Sequence, residues 1–246
     1  MAEHTQRSLN RICTAFRAQL NALAASSAQL DRYQLGRLMH LVNGCLADLD
    51  SVARSAPMTL AEHVLEHSLG HDAIKHEIEG EIGDDPALVL AKQVQPAAGE
   101  LSDILATADL PDQVAGRFGA VRTTDYLRTG LIVAVDIALA TYGKAERPSL
   151  AEALRTLTQV IAERYPGQTI ELRVPPYAAV QVGALSTASA HRRGTPPNVV
   201  ELTPTAFWQL ATGRSTWEQI KSGSELTSSG IHADETARMF PILRLA

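Results

Sequence analysis

The hydrophobic pattern of this chain changes period once, near residue 168, and that change constrains what it can fold into. Before it, apolar residues return every three or four positions, the repeat of helices that bury one face. Leu9, Ile12, Cys13, Phe16, Leu20 and Leu23 predict a helix over 5–27. Leu35, Leu38, Leu41, Val42, Cys45, Leu46 and Leu49 predict a second over 31–52. Thr59 with Glu62 three residues on is a capping box, opening a third that runs to about 81. Gly83-Asp84-Asp85-Pro86 is a loop, 87–107 reads as a helix broken at Pro96, and 124–142 as another. No strand-like alternation precedes residue 168, so the first half is expected to be an up-and-down bundle.

After the change the period is two. Pro148-Ser149 starts a helix with Leu150, Leu154, Leu157, Val160 and Ile161 on its inner face, and Tyr165-Pro166-Gly167 ends it. Ile170, Leu172 and Val174 then alternate with Glu171 and Arg173, the pattern of a half-buried strand. Pro175-Pro176 has no N–H to continue the ladder. Strands are expected again at 178–182 and, after the Gly194-Thr195-Pro196-Pro197 turn, at 198–202. Two short helices from Thr203 and Ser215, a strand at 226–229 and a closing helix at 233–243 complete the order. The fold class is therefore α+β, with a helical bundle over 1–146 and a smaller sheet-and-helix domain over 147–246.

Composition narrows the function. The net charge is −5, and apart from Arg192-Arg193 the cations are scattered singly, which excludes an electrostatic nucleic-acid surface. Two cysteines, Cys13 and Cys45, make neither a disulfide scaffold nor a metal-ligand spacing. The first twenty residues lack the apolar stretch of a signal peptide, and no run approaches the ~20 residues of a membrane span. A reducing, cytoplasmic setting is expected. No Gly-rich phosphate loop, HExxH, GxSxG or CxxC occurs.

Three groups carry chemistry. In the third helix Leu60, Val64, His67, His71, Ile74 and Ile78 share one stripe, placing His67 and His71 toward the core with His63 one turn before. Imidazoles one turn apart can share zinc or iron, and equally can be neutral core groups hydrogen-bonded to their surroundings. Asp136 lies inside the apolar run of 131–140 and needs a partner, an imidazole or Arg128. In the second half, Phe207, Trp208, Trp217, Met239 and Phe240 can line an apolar pocket or simply fill the core. The polar loop 183–194 ends in His191-Arg192-Arg193-Gly194, where a guanidinium can grip a carboxylate or phosphate. His191 with Glu201 or Glu171 offers an acid–base pair, with no nucleophile in a recognisable frame.

RVPPYAAVQ, HRRGTPPNVVE, TPTAFWQLATGR and SSGIHAD together resemble the bacterial sterol-carrier-like domain that ends many actinobacterial proteins. Some of these carry a DinB-like helical domain in front, as mycothiol-dependent maleylpyruvate isomerases do. The resemblance covers residues 148–246 and, faintly, the first half. It implies a layer of helices over a sheet, with a lipid tunnel in members that bind one. Relatives read His-Thr-Arg-Gly where this chain has His191 to Gly194, so Arg193 matches and Arg192 departs, and they carry Arg where His232 stands. TLAEHVLEH looks like the DinB-type helix that supplies one metal histidine, His67 with His63 beside it. The later helix of those families supplies a Glu and a His. Here it reads YLRTGLIVAVDIALA and offers only Asp136, so the metal site is expected to be degenerate.

Two functions are carried forward. The first is a non-catalytic carrier of an apolar, lipid or acyl-type ligand, with Arg193, His191, Trp208, Trp217 and Phe240 at its site. The alternative is an isomerase or transferase of the maleylpyruvate isomerase type, dependent on mycothiol as thiol cofactor. In it His67, His63, Asp136 and water hold a divalent metal such as zinc, which lowers the thiol pKa, and Arg193 orients an acidic substrate. A scaffold whose apolar faces pack against a second copy, as a homodimer, is left open beside them.

Overall fold

Helices form where the apolar stripes predict them. The computed structural model describes residues 2–107, 109–186 and 198–245. Within residues 1–153, α1 (Ala2–Ala25), α2 (Arg32–Leu49), α3 (Leu60–Leu69), α4 (His71–Ile82), α5 (Ala87–Thr107) and α6 (Thr123–Tyr142) make one packed unit. Its core is Ile12, Phe16, Leu20 and Leu23 of α1, Leu38, Val42 and Cys45 of α2, Val94 and Leu101 of α5, and Leu127, Leu131 and Val135 of α6. Asp31 caps α2 through Gln34 N–H at 2.8 Å, and the Thr59–Glu62 capping box is formed at the start of α3.

Three features of this unit differ from the sequence expectation. The expected third helix is two, divided at Gly70, where the Phe118 ring packs so closely that an added Cβ would lie 3.0 Å from its Cζ. His71 therefore opens α4 instead of sharing a stripe with His67. Helix α5 runs unbroken through Pro96, because Leu90, Val94, Ala98, Leu101 and Leu105 bury one face on both sides of it. That packing outweighs the ~3 kcal/mol an interior proline costs. Lastly, strands β1 (Gln113–Gly116) and β2 (Gly119–Arg122) form a hairpin before residue 168. Its outer edges are occupied: Ala115 N–H donates to Ser51 carbonyl and Met58 N–H to Ala120 carbonyl, both at 2.9 Å. Val114 and Val121 fill the space beneath it.

The second unit, residues 154–245, begins within α7 (Arg147–Arg164). Its sheet has the order β4-β3-β5-β6, from Ala178–Val182, Ile170–Val174, Asn198–Leu202 and Leu226–Ser229. Strands β3 and β5 are parallel and the outer pairs antiparallel. Ile170, Leu172, Val174, Val200 and Leu202 are buried on one face, while Glu171, Arg173 and Glu201 lie on the other. Helices α8 (Pro204–Ala211) and α9 (Trp217–Lys221) follow. The closing segment is a 3-10 helix, Ala233–Met239, instead of an α-helix reaching 243. Pro241 forces Phe240 into extended backbone and ends it. Ile242 and Leu243 then donate their N–H groups to the Ala211 carbonyl at 2.9 and 3.0 Å. Among the described residues no helix is long and apolar enough to cross a membrane.

Candidate functional site

The bundle unit brings His63 and His67 together. They stand one turn apart on α3, with ring centroids 4.7 Å apart and planes at 83°. His63 is buried, 2% exposed, and its Nδ1 lies 3.1 Å from Thr129 Oγ1 on α6. The Thr129 hydroxyl already donates its one hydrogen to the Asp125 carbonyl at 3.1 Å. It must therefore accept from His63, which places the proton on Nδ1 and leaves Nε2 with a bare lone pair. Burial disfavours the charged form of both rings, pushing the pKa of His63 down to about 4 and that of His67, with help from neighbouring positive groups, to about 3. Two neutral imidazoles thus sit side by side at physiological pH.

Other groups surround them. The Phe118 ring stands edge-on to His67 at 4.9 Å, and the Tyr126 ring lies 6.1 Å from His63. The Tyr126 hydroxyl is hydrogen-bonded with Asp48 and Cys45 of α2. Burial raises the pKa of all three, Cys45 to about 12. His40 pairs with Glu81 at 3.0 Å and His71 with Asp72 at 3.2 Å.

Asp136 is not brought to this group. It is fully buried and bonded at 2.8 Å to Nη2 of Arg37, itself 4% exposed, from α2. The carboxylate is thus partnered by a guanidinium from α2, and Arg128 pairs with Asp125 at 3.1 Å. Along α6, Asp136 is seven residues beyond Thr129, about 10 Å. Among the described residues no three His, Cys, Asp or Glu side chains form a group able to hold a metal. The trio His63, His67 and Asp136 is therefore not assembled as a ligand set.

In the second unit the aromatic residues collect. Phe207 meets Phe240 at 5.8 Å edge-to-face, and Trp217 stacks on Phe240 at 6.4 Å with planes at 27°. Phe207, Trp208 and Trp217 are buried, and Phe240 is half-buried. His191 and Arg193 lie outside the described residues. Glu171 is engaged by Arg173 at 2.7 Å. Glu235 was not singled out in the sequence, yet it gathers the end of the loop. It accepts from Leu185 N–H at 2.6 Å, Ser186 N–H at 2.9 Å, the Ser186 hydroxyl and His232 Nδ1 at 2.7 Å. These bonds, Ser186 foremost, hold its carboxyl down to about 2. The Ser186 hydroxyl and His232 Nδ1 both bond Oε1 of Glu235, and the hydroxyl lies 3.4 Å from that same Nδ1, so the imidazole does not stand between serine and carboxylate as it does in a nucleophile relay.

The missed residues of the bundle site had one legible signal. Val114-Ala115-Gly116-Arg117-Phe118-Gly119-Ala120-Val121 is a two-residue turn between glycines flanked by valines, a hairpin pattern that carries Phe118 to His67. Thr129 had none, since it acts across a gap of 66 residues.

Comparison with known proteins agrees with this architecture. The fold resembles that of a crystallised histidine-to-alanine mutant of mycothiol-dependent maleylpyruvate isomerase. The alignment has a TM-score of 0.51 and 13% identity, covering 90% of this chain and 92% of that one. A second structure, of mycothiol-dependent maleylpyruvate isomerase, aligns at 15% identity with a TM-score of 0.46 over the same shares. At such identity the likeness is one of fold. No curated protein matches by sequence. Residues 146–242 match the family model described as Bacterial SCP ortholog, so the stretch with the four-stranded sheet carries the bacterial sterol-carrier-type domain.

Proposed function

We propose that the protein is a cytoplasmic, non-catalytic binding protein whose second unit carries an apolar ligand of lipid or acyl type. The observation that carries this reading is the family match over residues 146–242, within which Phe207, Trp217 and Phe240 stack into one group. Phe240 is the least buried member, so it offers an acyl chain a ring edge to lie against without unpacking Phe207. Arg193 and His191 are assigned to the ligand's acid group. The bundle serves as a structural companion with a degenerate metal site, in which His63 and His67 are kept and Asp136 is committed to Arg37.

The test is extraction of the native protein followed by mass spectrometry, with binding of a fluorescent fatty acid. Co-purifying lipid, or saturable probe binding weakened about tenfold by Phe240→Ala, is expected. Protein that carries no lipid and ignores the probe would sink the reading.

The fold likeness favours one second reading, a thiol-dependent isomerase of the maleylpyruvate isomerase type. The lone pair of His63 and the neutral ring of His67 are the right donors for zinc. A catalytic zinc takes three protein ligands, however, and the two imidazoles have no third beside them among the described residues. The donor set does not fit, and no reaction step is assigned to it. Elemental analysis decides between the readings: stoichiometric zinc that disappears in His67→Ala favours the enzyme.

A further inference from the structure

We infer that the two-residue tip of the β1–β2 hairpin, Arg117-Phe118, is a gate over the imidazole pair, latched by Glu77 of α4. The arms of the hairpin cannot be what moves. Both outer edges are fixed by backbone bonds, Ala115 to Ser51 and Met58 to Ala120, and the bridges Val52–Val114 and Met58–Val121 lie beside them. The ladder ends at the pair Gly116–Gly119. Beyond it the tip is held by the side chains of Arg117 and Phe118.

Arg117 grips the Glu77 carboxylate with both terminal nitrogens, one of them at 2.7 Å, and its guanidinium stands 5.5 Å above the Phe118 ring. Phe118 in turn closes on the His67 ring at 4.9 Å and on the bare backbone of Gly70. Behind His67 come His63 and Thr129. The contacts thus run in one line from the surface latch to the buried imidazole. The hinge is present as well: the tip is bracketed by glycines, and Gly119 has φ +120°, a conformation side chains rarely adopt. Opening breaks one exposed ion pair, one edge-on ring contact and the packing of Phe118 on Gly70, none of which belongs to the bundle core. That is the profile of a segment that opens locally, ahead of global unfolding. His67 is half-buried and Phe118 covers one side of its ring, so opening the tip exposes the imidazole further, whether or not the second unit carries a lipid.

The experiment is site-resolved carbethoxylation of the full chain with diethyl pyrocarbonate, read by peptide mass spectrometry, with thiol titration of the same samples. Phe118→Ala is expected to raise the rate at His67 about tenfold. Glu77→Gln, a surface change that leaves the packing alone, is expected to raise it about two- to fivefold, the effect of losing an exposed pair. In both variants the buried Cys13 and Cys45 stay unreactive. An unchanged His67 rate in Glu77→Gln overturns the latch and the gate with it. A rise at His67 accompanied by thiol release also overturns the gate, because the bundle has then loosened as a whole.

Discussion

Replacing Asp136 with alanine is the sharpest probe of how the bundle is held together. Its carboxylate is 0% exposed and meets Arg37, 4% exposed, at 2.8 Å. Removing it leaves a guanidinium in the interior with Gln34 Oε1 at 3.0 Å as the partner of its other terminal nitrogen. A buried charge stripped of its counter-ion costs on the order of 3–5 kcal/mol. With a urea slope of about 2 kcal/mol/M, that moves the midpoint down by about 2 M. Trp208 and Trp217 both belong to the second unit, so indole fluorescence is the wrong probe, and the helix band in circular dichroism is the right one. The paired replacement Arg37→Met with Asp136→Leu removes both charges and is expected to restore the midpoint or exceed it, as apolar exchanges of buried pairs do. A loss below about 1 kcal/mol for the single change would match an exposed pair and refute the claim that these charges are desolvated.

Four further outcomes are expected. His63 has a native pKa of about 4 against an ordinary 6.5, so the unfolded chain binds its proton first. Stability present above pH 6.5 is then lost as pH falls toward 4, by about 2 kcal/mol between pH 7 and pH 5, and His63→Gln flattens that slope in urea titrations of chelator-treated protein. Gly36→Ala drives a Cβ to 2.4 Å from Ile82 Cγ2 and 3.1 Å from Ile78 Cγ2. Its overpacking cost of about 1–3 kcal/mol exceeds the helix-propensity gain of about 1 and is read as a lowered urea midpoint. Gly183→Ala places a Cβ 2.7 Å from the Pro166 carbonyl, a backbone atom that cannot step aside, and tryptophan fluorescence is expected to report a less stable second unit. Cys13 and Cys45, pushed up to about 11 and about 12 by burial, are expected to ignore a thiol reagent at pH 8 until urea is added.

The helices and the sheet were legible because their signals are periodic and local. Six apolar residues on one face predict α1, and the alternation from Ile170 to Val174 predicts β3, whatever the rest of the chain does. The misreadings have the opposite character. The stripe from Leu60 to Ile78 keeps its spacing across Gly70, but the ring that parts α3 from α4 comes from Phe118, almost fifty residues away. Pro96 looks like a break because the sequence displays its missing N–H and not the neighbours that bury both sides of α5. The closing segment stops at Met239 because Pro241 acts on Phe240, a one-residue effect that the apolar pattern of 237–243 hides.

Asp136 shows where the reading of a site from sequence runs out. A lone acid in the apolar run of α6 announces a partner, since its charge cannot be buried alone. A metal held with histidines and a guanidinium both satisfy that demand, and both leave the same residues around the acid. What separates them is which side chain arrives across the bundle, and that is set by the packing of α2 against α6. Arg37 lies 99 residues earlier in the chain and on the apolar side of α2, where a cation reads as an error in the stripe. Taken with Asp136, the error becomes the signal: an arginine and an aspartate each misplaced on a core-facing helix predict one another. The same reasoning turns the two histidines of α3 from a ligand pair awaiting a third into a hydrogen-bonded pair, His63 on Thr129 with His67 behind Phe118.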